Sequence, residues 1–215
     1  MIHCRRGIMI LIVDYGMGNI HSVSKALEYV TNEEVVISAN PEDLIKASRI
    51  VLPGVGAFGE GIASLKNGGW MGVLKKAVLQ EKKPFFGICL GMQMLAEESL
   101  EHGRYSGLGW IKGNVTRFMP TAPELKIPHV GWNDVQFKKN NPLLQGVREN
   151  ADFYFVHSFH LTNTEPEIIA ATCDYGYPFV AAIKKDNIFA TQFHPEKSQQ
   201  QGLQILKNFC QWKGE

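Results

Sequence analysis

The sequence predicts an α/β fold: an open, mostly parallel sheet flanked by helices, with an additional antiparallel β portion in the second half. Three observations carry that expectation. Short, wholly apolar runs alternate with stretches at helical spacing through about residue 98. Such runs mark strands buried on both faces, as in a parallel sheet covered by helices. From about Lys112 the texture changes to closely spaced β-rich segments.

In chain order, Ile8 to Val13 is the first strand, and Ile20 to Val30 follows as a helix through Val23, Leu27 and Val30. The loop between them, Asp14 to Asn19, contains a Gly-x-Gly pair but lacks the third glycine of a dinucleotide fingerprint, so that reading is weak. Val35 to Ser38 is the second strand. Asn40-Pro41-Glu42 opens a helix, with Asn40 as N-cap and Pro41 at the first helical position. Arg49 to Leu52 is the third strand, followed by helices over Glu60 to Leu65 and Trp70 to Gln80. The fourth strand, from Pro84, leads through Cys89 into a helix over Gly91 to Glu98. Later strands are expected over Asn114 to Met119, Lys126 to Val135, Ala151 to Ser158, Ile168 to Cys173, Phe179 to Ile183 and Ile188 to Gln192. Lys184 to Asn187 is the tip of a hairpin. Gln199 to Trp212 closes the chain as a helix whose stripe of Leu203, Leu206, Phe209 and Cys210 faces the core.

Composition narrows the class without naming a chemistry. At 215 residues the chain can bury a full core, and one domain over 9–215 is expected. A net charge of +1 gives no electrostatic case for nucleic acid or an anionic membrane surface. Lys75-Lys76 and Lys82-Lys83 read as solvated helix faces. The four cysteines lack metal-binding or disulfide-framework spacing, which fits a reducing cytoplasm and no metal. Residues 1–8 carry Arg5 and Arg6 before a short apolar run that meets Asp14 without a cleavage site, so a signal peptide is rejected. Met9 is an alternative start, with residues 1–8 an N-terminal extension.

The chemistry gathers in three stretches. In Gly87-Ile88-Cys89-Leu90-Gly91 a cysteine stands where the nucleophile-elbow pattern has serine. The flanking glycines ease a sharp strand-to-helix turn, and the start of the helix favours thiolate over thiol. Alone, the pattern suits a buried structural cysteine equally well. Pro53 to Gly59 is a glycine-rich strand end able to turn main-chain N–H groups toward one point, as an oxyanion hole requires; a plain flexible turn is the alternative. His194-Pro195-Glu196 places a histidine and a carboxylate two apart, so in an extended stretch they share one face. Glu196 would then orient the imidazole as the third member of a triad.

These residues resemble a known family. Gly87-Ile-Cys-Leu-Gly-Met-Gln93 with Gln192-Phe-His-Pro-Glu-Lys-Ser198 is similar to the motifs of class I (triad) glutamine amidotransferases. Val13-Asp-Tyr-Gly-Met-Gly-Asn-Ile20, Leu52-Pro-Gly-Val-Gly-Ala-Phe58, Pro128-His-Val-Gly-Trp-Asn133 and Phe153-Tyr-Phe-Val-His-Ser-Phe-His160 narrow it to the glutaminase branch serving imidazole glycerol phosphate synthase in histidine biosynthesis. Met92, where many relatives in other pathways have His, agrees with that branch. The resemblance covers the chain from about Ile10 to its end.

The resemblance implies that Cys89 attacks the carboxamide of glutamine, His194 moves the proton and Glu196 orients it. It implies an oxyanion hole from Gly54, Val55, Gly56 and the N–H of Leu90. Gly56 and Gln93 would contact glutamine, with main chain at His157, Ser158 and Phe159 holding its far end; Phe159 stands where Tyr is usual. Tyr15, Asn19, Pro128, His129, Gly131, Trp132 and Asn133 would lie at the interface with a (β/α)8-barrel cyclase, forming a heterodimer that needs no cofactor. His157 and His160 read as structural or substrate-shaping rather than metal-ligating. Three alternatives stay open: the glutaminase of another synthase, such as a sugar-modifying amidotransferase of surface polysaccharide assembly; a stand-alone cysteine hydrolase; and a non-catalytic scaffold subunit, against which the intact Cys89, His194 and Glu196 argue.

Overall fold

A computed structural model describes residues 9–120, 124–138 and 141–215, so the expected extension over 1–8 lies outside the described residues. In chain order the elements are β1 Met9–Val13, α1 Ile20–Val30, β2 Glu34–Ser38, β3 Arg49–Gly54, α2 Phe58–Asn67, α3 Trp70–Lys75, β4 Phe85–Cys89, α4 Leu90–Gln93, β5 Glu98–Ser99, β6 Tyr105–Ser106 and β7 Asn114–Arg117. The second half adds β8 His129–Phe137, β9 Ala151–His157, β10 Phe159–Thr162, β11 Ile169–Asp174, β12 Pro178–Lys185, β13 Ile188–Thr191 and α5 Gln199–Gln211.

One nine-stranded sheet runs β2-β1-β3-β4-β13-β12-β11-β8-β9. The first five strands in that order are parallel, and the pairs from β13 to β9 are antiparallel. The returning strand β13 pairs with β4 in parallel, which joins the two textures of the sequence into one sheet. A second, four-stranded sheet runs β10-β7-β5-β6. Strand β1 shows why helices cover both faces: Met9, Leu11 and Val13 face one apolar cluster while Ile10 and Ile12 face the other. The first cluster holds Phe58 and Leu65 of α2 and Trp70 and Leu74 of α3; the second holds Val23 and Leu27 of α1 and Leu206 and Phe209 of α5. Buried Arg49, at the start of β3, donates to the carbonyls of Phe209 and Trp212 and so ties β3 to the end of α5.

Two expected helices are shorter than their patterns. Asn40 caps as expected, accepting from the Glu42 N–H at 3.2 Å, but only a 3-10 turn over Pro41–Ile45 follows. The helix expected over Gly91 to Glu98 stops at Gln93. The carbonyls of Met94, Leu95 and Ala96 accept instead from the N–H groups of Leu108, Trp110 and Gly109, so a long-range segment takes the acceptors that further helical turns would use.

Candidate active site

The turn from β4 into α4 is built by close contact. Cys89 has φ 54° and ψ −107°, a strained conformation for a residue with a side chain, costing on the order of 1–3 kcal/mol. The flanking glycines do not themselves take positive φ; they permit contact. A Cβ on Gly91 would lie 1.9 Å from the Leu52 carbonyl oxygen, and one on Gly87 would lie 2.8 Å from the Gly91 carbonyl oxygen. So the glycines let β4, α4 and β3 meet, and the strain falls on the cysteine. The register of β3 on β4 sets Gly54 opposite Cys89, bringing the glycine-rich strand end beside the sulfur. With α4 only four residues long, no long helix dipole faces the sulfur.

His194 and Glu196 meet as expected, but on a different backbone. His194 is extended and caps a 3-10 turn over Pro195–Lys197, and that turn, not a strand, brings the Glu196 carboxylate to 2.8 Å from His194 Nδ1. Both side chains are buried, 2% and 0% exposed, so this ion pair is little screened. The main chain of His194 is pinned: its N–H donates to the Tyr154 carbonyl, and its own carbonyl accepts from Ser198 Oγ at 2.6 Å. With Nδ1 taken by Glu196, Nε2 remains for the cysteine; it has no hydrogen bond of normal geometry among the described residues. Burial alone would push the imidazole pKa down, but the Cys89 sulfur and the Glu196 carboxylate outweigh it and raise it to about 10.

A cavity of about 1100 Å³ opens over Cys89, lined by Val55, Gly56, Cys89, Leu90 and Gln93 on one side and by His157, Ser158 and Phe159 on another. The structure thus brings most of the sequence-predicted glutamine-binding residues to one space. It adds four that sequence reasoning passed over. Gln192, fully buried at the end of β13, places its Nε2 3.6 Å from the Cys89 sulfur. The signal was a polar residue inside an apolar strand two positions before the histidine. Glu101, Thr116 and Arg117 line the cavity wall, and a Glu101 oxygen accepts from the Phe58 N–H at 2.6 Å. Those three sit on the small second sheet and its loops, where no local pattern points inward.

Two residues that the resemblance implies at the partner interface have side chains buried within this chain. Tyr15 is 7% exposed, and its hydroxyl packs where a Cβ on Gly54 would stand, 2.3 Å away. Burial, and secondarily the charge of Cys89, raise its pKa. Tyr15 therefore lies behind the nucleophile, because the β3–β4 register carries Gly54 over it. His129 is 3% exposed, its ring stacked on Tyr175 at 4.0 Å and on Phe155 at 4.8 Å. Alternation along β8 turns Val130 and Trp132 outward instead, 55% and 48% exposed. Pro128 is exposed at the cavity wall, and Asn19, Gly131 and Asn133 are half-buried. Among the described residues no cluster of His, Cys, Asp and Glu suits a metal ion, and no helix is long and apolar enough to cross a membrane.

Glutamine amidotransferase class-I, as a family, matches residues 11–212. The chain is similar to imidazole glycerol phosphate synthase subunit HisH 1 of Campylobacter jejuni, 49% identical over 94% of this chain and 99% of that protein. It is similar in the same degree, 49%, to subunit HisH of Geobacter sulfurreducens, over 95% of this chain and 99% of that one. Among solved structures it is similar to a glutamine amidotransferase with TM-score 0.72 at 18% identity, covering 95% of this chain and 99% of the other. It is also similar to PurLQS from Thermotoga maritima with TM-score 0.71 at 18% identity, covering 95% and 96%. At such identity the structural likeness speaks to the fold.

Proposed function

This chain belongs to the class-I glutamine amidotransferases, and we propose that it is the glutaminase subunit of an imidazole glycerol phosphate synthase. The observation that carries the chemistry is the strained Cys89, which lines the cavity, beside a buried His194–Glu196 pair. The pathway rests on relatives named as HisH subunits, half identical over nearly their whole length.

The Cys89 thiolate adds to the carboxamide carbon of glutamine, and the resulting oxyanion accepts from the Leu90 N–H and the main chain of Gly54 to Gly56. Collapse breaks the C–N bond while imidazolium His194 hands its proton to the departing nitrogen, which leaves as ammonia. A γ-glutamyl thioester remains. His194 then takes a proton from water, hydroxide attacks the thioester, and glutamate and the thiolate are released. Glu196 holds the imidazolium through both steps. Glu101 and Arg117 place a carboxylate and a guanidinium on the cavity wall, complementary to the ammonium and carboxylate ends of an amino acid. The ammonia passes to a (β/α)8-barrel cyclase, which makes imidazole glycerol phosphate and AICAR. Exposed Val130 and Trp132, with Pro128 at the cavity wall, offer that partner an apolar edge.

The test is glutamine hydrolysis by the purified chain, alone and with a histidine-pathway cyclase plus its nucleotide ligand. Low activity alone and a large rise in the complex support the reading. High activity alone would make the chain a stand-alone hydrolase, and silence in both would assign it to a different synthase.

A further inference from the structure

Behind the cavity wall that β9 and β10 form, and reaching back to β8, runs a directed chain of hydrogen bonds that the triad does not use. Asn133 Nδ2 lies 3.3 Å from His129 Nε2, His129 Nδ1 lies 3.1 Å from His157 Nε2, and His157 Nδ1 lies 2.9 Å from the Phe159 carbonyl oxygen. Only one arrangement of protons fits these contacts. A carbonyl only accepts, so His157 carries its proton on Nδ1 and, as a neutral ring, accepts at Nε2. His129 must then donate from Nδ1 and accept at Nε2, from Asn133. The Asn133 amide nitrogen also donates to the Asp174 carbonyl at 2.8 Å, which fixes its orientation independently. Burial keeps both rings neutral, holding His129 near 4 and His157 near 3.

The chain continues to the reacting sulfur. The Phe159 carbonyl also accepts from Gln93 Nε2 at 2.9 Å; the same amide donates to Gln192 Oε1 at 3.0 Å; and Gln192 Nε2 lies 3.6 Å from Cys89 Sγ. Each amide can be turned in only one sense if every donor is to meet an acceptor. We propose that His129 and His157 are positioning residues: a neutral donor relay from Asn133 on β8 that fixes the Phe159 carbonyl and, through it, the amide orientations of Gln93 and Gln192 beside Cys89. The inference rests on the glutaminase reading and deepens it. It makes glutamine capture depend on β8, the strand whose outer face carries Val130 and Trp132.

Packing alone is the competing account, since His129 stacks between Tyr175 and Phe155. Two substitutions separate the accounts. His129→Phe keeps an aromatic ring but removes the donor; His129→Asn removes the ring but keeps an N–H near the Nδ1 position. In the complex with cyclase, His129→Phe should raise the KM for glutamine about tenfold, the worth of one well-placed hydrogen bond, with a smaller change in kcat. His129→Asn should stay within about threefold of the unsubstituted enzyme, less than half of that bond's free energy. A His129→Phe enzyme with unchanged KM, or a folded His129→Asn enzyme as impaired as the Phe variant, overturns the relay. Long-range proton–nitrogen NMR on the unsubstituted chain reads it without any activity: at pH 7 both rings must be neutral with the proton on Nδ1. An Nε2–H tautomer at either ring overturns the relay even if the glutaminase reading holds. Correct tautomers with no turnover under any partner would sink the glutaminase reading and leave the relay standing.

Discussion

One wall of the cavity, the elbow, is set by contact. Gly91 touches the Leu52 carbonyl so closely that no Cβ fits, and Cys89 takes a φ of 54° as a result. The other wall, on β8 to β10, is set by direction: His129, His157 and His160 are buried among Phe118, Phe155, Tyr175 and Phe179, each with ring nitrogens tied to named partners. The difference teaches that a nucleophile can be placed by steric exclusion, which tolerates no added atom and does not itself rest on the position of a proton. A pocket wall placed by neutral imidazoles tolerates changes of shape but not of proton count.

The sharpest break of the steric wall is Cys89→Ala. It should abolish glutamine-dependent synthesis, a loss on the order of 10⁴-fold or more, while synthesis fed with ammonium salts persists because the cyclase needs only ammonia. If the ammonia-driven reaction fell as well, with the chain still bound to its partner, Cys89 would be a structural residue.

Glu196→Gln is the next largest. The amide still accepts from His194 Nδ1 but no longer supports a buried imidazolium, so kcat should fall about 10³-fold. The His194 pKa, raised to about 10 by Cys89 and then Glu196, should drop toward its ordinary value and be visible in the pH–rate profile. An unchanged profile would mean that the carboxylate does not set the charge on the imidazole.

Gly91→Ala inserts one methyl where the gap to the Leu52 oxygen is 1.9 Å. Overpacking of this kind costs about 3 kcal/mol, readable as a shifted urea midpoint, and it should lower kcat by moving the sulfur. A neutral Gly91→Ala would show that the elbow is not held by contact.

The two walls should also separate in pH. His129, His157 and His160 titrate near 4, 3 and 4 in the folded chain, because burial disfavours their charge, and near 6.5 once unfolded. The unfolded chain then binds more protons, so their contribution is full above pH 6.5 and is lost as pH falls toward 4, by at most about 1.4 kcal/mol per pH unit for each ring. His194 has the opposite sign: raised to about 10, its contribution is full below pH 6.5 and is lost as pH rises through 10. Urea unfolding across pH should therefore show an acid limb that shrinks in His160→Gln and an alkaline limb that shrinks in Cys89→Ala. Limbs that respond to the wrong variant would break the division.

How much of this was legible in the sequence follows the same division. The elbow, the oxyanion strand and the His-Pro-Glu turn were readable because each is a local string whose chemistry depends on near neighbours. The early end of α4 was not, since its carbonyls are taken by residues 108–110, and the helical pattern after Gly91 holds no sign of that competition. Gln192 and Glu101 were passed over because strand order alone places them: β13 beside β4 carries Gln192 to Cys89, and β5 beside β7 carries Glu101 to the cavity wall. The resemblance alone implies an interface position for Tyr15; what buries its side chain is the placement of Gly54 against its hydroxyl.

Tyr15 lies at the seam behind the nucleophile, and its effect should be the smallest and the most informative in sign. Its hydroxyl is buried without a hydrogen-bond partner among the described residues, against the backbone of Gly54. An unsatisfied buried hydroxyl costs about 1–3 kcal/mol, so Tyr15→Phe should leave the free chain equally stable or about 1 kcal/mol more stable by urea unfolding. Were the seam organised like the histidine wall, the hydroxyl would be satisfied and its removal would destabilise the chain by a similar amount. A stabilised Phe variant extends contact packing to everything behind the sulfur; a destabilised one moves the boundary with the hydrogen-bonded wall to the far side of Cys89.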